Sequence, residues 1–95
     1  MFNQAKAIMK IKKAQKELAN EVIEVEAGDG AVLVRITGEQ KIKEVKIDPE
    51  RVDLEDIAEL ERWIATAVKE AISRSQQVAA EKMKPLMGSL GNLGL

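Results

Sequence analysis

The sequence predicts an α+β domain with the order helix, three-stranded antiparallel meander, long helix (α-β-β-β-α). Three observations lead to this prediction. Apolar residues recur at helical spacing over residues 3–20 and again over residues 53–84. Between these stretches, residues 22–49 alternate apolar and polar side chains and contain two glycine-bearing turns. Because 95 residues support one hydrophobic core, we predict a single domain over residues 1–84 and a flexible tail over residues 85–95.

The first helix is predicted to run from Asn3, a residue type favoured at helix N-caps, to about Asn20. Ile8, Ile11 and Leu18 recur at helical spacing and would form its apolar stripe. A row of lysines at successive steps of four and three residues lies along one side of the same helix; it comprises Lys6, Lys10, Lys13 and Lys16.

The meander is predicted from three segments of period-2 alternation, residues 23–27, 32–37 and 44–47. The first turn, Gly28-Asp29-Gly30, contains residue types that tolerate positive φ, which is typical of a tight hairpin. The second turn is Gly38-Glu39-Gln40. One face of the resulting sheet would be apolar and the other charged.

The second helix is predicted to begin at Asp53, with Asp56 at the capping-box position, and to continue to Lys84 before Pro85 stops it. A helix of that length spans about 48 Å, whereas six-residue strands span about 20 Å. We therefore expect more than half of this helix to project beyond the sheet.

The apolar band of the second helix is too broad for contact with one sheet alone, which predicts a homodimer. Two strand residues also break the alternation and fall on the charged face by simple counting. The predicted dimer interface comprises Ile57, Leu60, Ile64 and Val68 of the helix, with Leu33 and Ile42 of the strands.

The side-chain inventory argues against catalysis. The chain has no His, Cys or Tyr, so it offers no transition-metal ligand set and no nucleophile–base pair. We expect no enzyme activity, no metal, no cofactor and no small-molecule substrate. Gly28 and Gly30 precede a strand and not a helix, so they form a hairpin turn and not a phosphate-binding loop.

No run of about 18 apolar residues occurs, so no membrane span is predicted. The first 20 residues carry five Lys and lack the continuous apolar stretch of a signal peptide. Together with the lack of Cys, these features favour a cytoplasmic location.

The lysine row has two interpretations, an ordinary solvated helix face or a surface that contacts phosphates. Residues 1–20 hold five Lys against one Glu, although the net charge of the whole chain is −1. A second basic cluster, Arg74, Lys82 and Lys84, lies on the projecting part of the second helix. Evenly spaced Lys without interleaved aromatic residues favours phosphate contact over base readout.

Several segments in the same order resemble the YbaB/EbfC family of bacterial nucleoid-associated DNA-binding proteins. They are the first helix KAIMKIKKAQKELANEV, the hairpin GDGAVLVRITG, the strand end KEVKIDPE and the AVKEAI register of the long helix. The resemblance implies a tweezer-like homodimer that binds double-stranded DNA with little sequence preference and organises the nucleoid. It also implies DNA contacts on the helical arms, which hold Lys6, Lys10, Lys13, Lys16, Arg74, Lys82 and Lys84.

A protein-interaction module is the alternative. In that case the projecting helices would grip a replication or recombination factor. The apolar residues beside the lysines, Met9, Met83, Leu86 and Met87, would suit a partner groove.

Overall fold

The computed structural model describes the backbone of residues 2–91 and the side chains of residues 4–87. It contains α1 (Phe2–Asn20), β1 (Val22–Ala27), β2 (Val32–Thr37), β3 (Ile42–Ile47), a 3₁₀ turn (Pro49–Arg51) and α2 (Ile57–Gly91). The sheet is antiparallel in the order β1-β2-β3. The predicted α-β-β-β-α order is therefore confirmed.

Both helices begin at residues different from those predicted from the sequence. Helix α1 starts at Phe2, so Asn3 lies inside it. Helix α2 starts at Ile57, and its cap is Asp56, whose Oδ1 accepts a hydrogen bond from the Glu59 N–H at 3.1 Å. Asp53 instead accepts the Glu55 N–H in the preceding turn. Residues 56–59 themselves have the spacing of a capping box, and this later cap is the one that forms.

Helix α2 also continues past its predicted end, through Pro85 to Gly91. Proline removes one backbone donor from a helix, but Pro85 and Leu86 line a cleft against α1. The helix therefore continues through Pro85 at a position where it lies against α1. Flexibility of residues 85–95 stays a prediction, and residues 92–95 lie outside the described part of the chain.

The first turn has the predicted hairpin geometry, with φ of 64° at Gly28, 54° at Asp29 and 90° at Gly30. A Cβ at Gly28 would lie 2.5 Å from the Trp63 ring, so this glycine lets the helix approach the turn closely. Trp63 is therefore a packing residue at the end of the molecule that holds the first hairpin.

A register shift between Arg35 and Ile36 changes the face on which Ile42 lies. Ile42 pairs with Ile36, so it shares the face of Val45 and Ile47, and its assignment to the charged face was wrong. The extra residue of a β-bulge moves every later side chain to the other face, and simple alternation does not detect it. Leu33 does lie on the charged face, as expected from the sequence.

The first half of α2 packs on β1 and β2 but makes no contact with β3. The buried core joins the inner side chains of the two covered strands to the small residues of α2; it comprises Val25, Val32, Val34, Ile36, Ala67 and Ala71. Leu60, Trp63, Ile64 and Val68 surround it and are half-buried. The inner face of β3 is left open, with Ile42 47%, Val45 43% and Ile47 44% exposed.

The second half of α2 projects from the sheet together with α1, which runs antiparallel to it. Leu18 is buried at the base of this arm, where the Gly38 N–H donates to the Leu18 carbonyl at 2.9 Å. The arm makes the molecule 63 Å long. Its radius of gyration is 18.2 Å. A compact domain of this length would have a value of about 12 Å.

Ser75 joins the arm to the sheet. Its side chain is fully buried, and its Oγ donates to the Thr37 carbonyl at 2.7 Å. The same Oγ accepts the Gln40 N–H at 3.1 Å. The Ser75 hydroxyl therefore hydrogen-bonds two backbone groups of the β2–β3 turn and links that turn to α2.

Replacing Ser75 with Ala should lower the free energy of unfolding by about 1–2 kcal/mol, because the two hydrogen bonds of the buried hydroxyl are lost. The Gln40 N–H still donates to the Thr37 carbonyl at 3.0 Å, so neither backbone group is left unpaired. The matched control is Ser73→Ala, which makes the same change at an exposed position of the same helix and should stay within about 0.5 kcal/mol. Urea unfolding followed by the fluorescence of Trp63, the only tryptophan, measures both. Equal effects of the two substitutions would contradict the assigned role of Ser75.

Candidate nucleic-acid interface

Three lysines converge where α1 meets the projecting half of α2. Lys10 and Lys13 of α1 and Lys82 of α2 line a cleft of about 240 Å³. Ala14, Pro85 and Leu86 line the same cleft, and Glu17 supplies its one carboxylate. We call this site the arm cleft.

The sequence of α1 explains why its lysines reach the boundary between the helices. Lys10, Lys13 and Glu17 are separated by three and four residues, so they share one side of the helix. Ala14 and Leu18 beside them are buried. Burial of these two residues sets the rotation of α1 and leaves the charged side at the rim of the contact.

Glu17 and Lys82 form an ion pair across the arm cleft, with 2.7 Å between Glu17 Oε2 and Lys82 Nζ. The hydrogen bond and the charge of Lys82 lower the pKa of Glu17, and the nearby Lys13 acts in the same direction. The hydrogen bond from Lys82 to Glu17 raises the pKa of Lys82, although partial desolvation opposes this. Both groups are therefore ionised at neutral pH.

The structure brings together three of the seven predicted DNA-binding residues and separates the others. Lys6 and Lys16 are exposed on α1 but do not line the arm cleft. Arg74 is paired with Glu70 on the same helix, with 2.9 Å between Nε and Oε1. Lys84 is exposed on a different side of α2 from Lys82.

The predicted dimer-interface residues differ in burial. Leu60, Ile64 and Val68 are half-buried against the core of their own chain. Leu33 is half-buried on the charged face, whereas Ile42 and Ile57 are exposed.

The predicted dimer interface does not include three exposed apolar residues, Val45, Ile47 and Leu54. Ile72, a member of the apolar band of the second helix, is also exposed. Val45 and Ile47 alternate as core residues would. Only the position of α2 over the other two strands shows that they are uncovered. We call the exposed inner side of β3, formed by Ile42, Val45 and Ile47, the open sheet face.

Two carboxylates of the outer sheet face, Glu24 and Glu44, are paired with Arg35 across the strands, and Glu44 also pairs with Lys46 of its own strand. Arg35 lies 2.6 Å from Glu24 and 3.3 Å from Glu44, and Lys46 lies 3.7 Å from Glu44. Within residues 4–87 no group of three His, Cys, Asp or Glu side chains is placed to hold a metal ion. Across the described chain, no helix combines the length and apolarity needed to cross a membrane.

The protein has a small sheet at one end and a basic two-helix arm at the other. This architecture defines a class of small α+β proteins whose lysines can bind a polyanion. Comparison with known proteins agrees with this class. Residues 1–90 match the YbaB/EbfC DNA-binding family. The chain belongs to this family of nucleoid-associated DNA-binding proteins, as the resemblance indicated.

Two relatives illustrate the similarity. A nucleoid-associated protein of Ruminiclostridium cellulolyticum is 39% identical over 98% of this chain and 82% of its own length. One from Syntrophobacter fumaroxidans is 40% identical, covering 99% of this chain and 86% of the relative. The fold also matches a crystal structure of an uncharacterized Helicobacter pylori protein, with a TM-score of 0.70 at 16% identity over 92% of this chain and 87% of the other.

The Glu17–Lys82 pair should give a pH-dependent contribution to stability. The folded pKa of Glu17 is below 4.5, so its contribution is present above about 4.5 and is lost as the pH falls through the folded value. The folded pKa of Lys82 is above 10.5, so its contribution is lost only as the pH rises beyond that.

The difference in unfolding free energy between wild type and Glu17→Gln should therefore be constant between about pH 5 and 10 and shrink at more acidic pH. Urea titrations across a pH series measure this difference. A difference that does not shrink as the pH falls below about 4.5 would contradict the ion-pair assignment.

Proposed function

We propose that this protein binds double-stranded DNA through phosphate contacts of the arm lysines, with little sequence preference, and helps organise or compact the chromosome in the cytoplasmic nucleoid. The observation that carries the proposal is the convergence of Lys10, Lys13 and Lys82 on a projecting arm. Membership of a DNA-binding family supports it. The function requires no metal, cofactor or small-molecule substrate.

Charge is distributed unevenly along the molecule in a way that favours the arm. Helix α1, which forms one side of the arm, holds five Lys against one Glu. Residues 53–61, at the start of α2 near the sheet, hold five acidic residues and no Lys or Arg. A polyanion is therefore attracted to the arm and repelled from the sheet end, although the net charge is −1.

The chemistry of the arm supports contact with phosphates and not with bases. Lysine ammonium groups act as point charges toward phosphate, whereas base readout commonly uses the planar Arg, Asn or Gln groups. Trp63, which could stack on a base, instead packs over Gly28 at the other end of the molecule. Binding should therefore be similar for unrelated duplexes.

We further propose that the protein acts as a homodimer joined through the open sheet face. Ile42, Val45 and Ile47 form an apolar strip on an edge strand whose outer backbone groups have no partner strand in the single chain. Ile57 and Ile72 of α2 are further exposed apolar residues. A second copy is the occupant that the broad apolar band of α2 predicts, and it would add burial to a small core.

Charge reversal at Lys10 and Lys13 should weaken DNA binding about tenfold or more, and equally for all sequences. The control is Lys12→Glu with Lys69→Glu, which makes the same charge change at exposed lysines outside the arm cleft. Fluorescence anisotropy with several unrelated 30-base-pair duplexes measures both variants. Equal losses in the two variants would show that only net charge matters and that the arm cleft is not the site.

The salt dependence of wild-type binding tests the phosphate mechanism. With about four contacts from each subunit, log Kobs should fall with log salt at a slope near −7. The Lys10/Lys13 variant should have a slope shallower by about 3 to 4, because about four contacts are lost per dimer. A steep slope that the substitutions leave unchanged would place the contacts elsewhere.

Replacing Val45 with Lys should convert the dimer to monomers, because the change places a charge in the proposed apolar interface. Lys46→Glu is the control, since Lys46 is also exposed on β3 but lies on the opposite face. Light scattering coupled to size-exclusion chromatography gives the mass, and circular dichroism confirms that each variant is folded. A folded Val45→Lys variant that stays dimeric would exclude this interface.

A second candidate function is binding of a replication or recombination factor by the arms. Two methionines on the arm, Met9 and Met87, are 70% and 64% exposed, and flexible thioether side chains suit adaptable apolar contacts. Absence of DNA binding at low salt by a confirmed dimer would favour this function over the first.

A further inference from the structure

Glu17 is the only acidic residue of α1, and the structure places it among the three lysines of the arm cleft. We propose that Glu17 occupies the position of a phosphate in the free protein and limits the affinity of the arm for DNA. This inference rests on the proposed DNA-binding function and identifies a residue that regulates the same site.

The geometry of the ion pair carries the first step. Lys82 Nζ lies 2.7 Å from Glu17 Oε2, which is the distance of a charge-assisted hydrogen bond to a carboxylate or a phosphate oxygen. An oxygen of Glu17 therefore takes the place beside Lys82 that a phosphate oxygen would use. For Lys82 to contact DNA, the phosphate must replace the carboxylate as its partner.

The surroundings of Glu17 carry the second step. Lys13 lies one helical turn before Glu17, and its charge also lowers the pKa of Glu17. The carboxylate is therefore held among the cleft lysines from both helices and stays ionised at neutral pH. After Lys82 moves to a phosphate, the negative charge of Glu17 remains close to the DNA and repels it.

Glu17 nevertheless has a positioning role in the free protein. It holds Lys82 beside Lys10 and Lys13, although three ammonium groups in one cleft repel each other. Within the described side chains, the pair is the one salt bridge between α1 and α2. The neutral Gln at this position can still accept a hydrogen bond from Lys82 through its amide oxygen, so Glu17→Gln removes the charge while keeping the shape.

Glu17→Gln should bind DNA about two- to fivefold more tightly per arm cleft, which corresponds to the range measured for exposed ion pairs. Its salt dependence should be steeper by up to about one unit of slope per cleft, because the freed carboxylate no longer takes up a cation when DNA binds. Anisotropy titrations of a 30-base-pair duplex across a salt series measure both quantities.

The matched control is Glu81→Gln, which removes the same charge next to Lys82 in the sequence. Glu81 is exposed and has no ion-pair partner within the described side chains. It should change affinity less and leave the slope unaltered. A Lys82→Gln background provides the second control, because the competition for Lys82 is absent there. The excess of Glu17→Gln over Glu81→Gln should shrink to the part that comes from repulsion of DNA by the carboxylate.

The outcomes separate this inference from the proposed function. If wild type binds DNA and the excess of Glu17→Gln over Glu81→Gln is clearly larger with Lys82 than in the Lys82→Gln background, the competition is supported. An excess of the same size in both backgrounds overturns it. If wild type binds but Glu17→Gln equals the control or binds more weakly, the inference is overturned and the proposed function stands. If neither wild type nor the Gln variants bind DNA at low salt, both fail.

Discussion

The position of α2 on the sheet is the constraint on which the rest of the structure depends. The helix covers β1 and β2 with its first half and leaves β3 without a cover. With 35 residues it is about 52 Å long, so its second half extends far beyond strands of about 20 Å. The packing of α2 on β1 and β2 therefore creates both the open sheet face and the arm, the two surfaces on which the proposed function depends.

The junction at Ser75 and Gly38 makes the arm an extension of the core. Ser75 ties the β2–β3 turn to α2, and the Gly38 N–H caps the end of α1 at Leu18. A Cβ at Gly38 would lie 2.9 Å from the Leu18 carbonyl oxygen, so glycine is what allows this approach. Because both helices are anchored at one turn, they leave the sheet side by side. This arrangement places Lys82 in one cleft with Lys10 and Lys13 of α1.

The element order and the lysine row could be predicted from the sequence, because both are local patterns. The arm cleft could not, since Lys82 is more than 60 residues from Lys13 and joins it only because α1 folds back along α2. The sequence predicts a stop at Pro85 because the local effect of proline is known, whereas packing beside α1 is a tertiary effect. The register shift between the Arg35–Glu44 and Ile36–Ile42 pairs likewise depends on pairing with β2, and alternation within one strand does not encode it.

The two proposed surfaces are coupled by thermodynamic necessity if one DNA molecule contacts both arms of a dimer. Each exposed lysine–phosphate contact is weak, and Glu17 weakens the arm cleft further. Joining two clefts makes the second contact intramolecular and multiplies the affinity without any new contact. By linkage, DNA that spans both arms must then stabilise the dimer by the same factor by which dimerisation strengthens DNA binding. A single weak cleft would release DNA readily, so the burial of Val45 and Ile47 between subunits would determine occupancy as much as the lysines do.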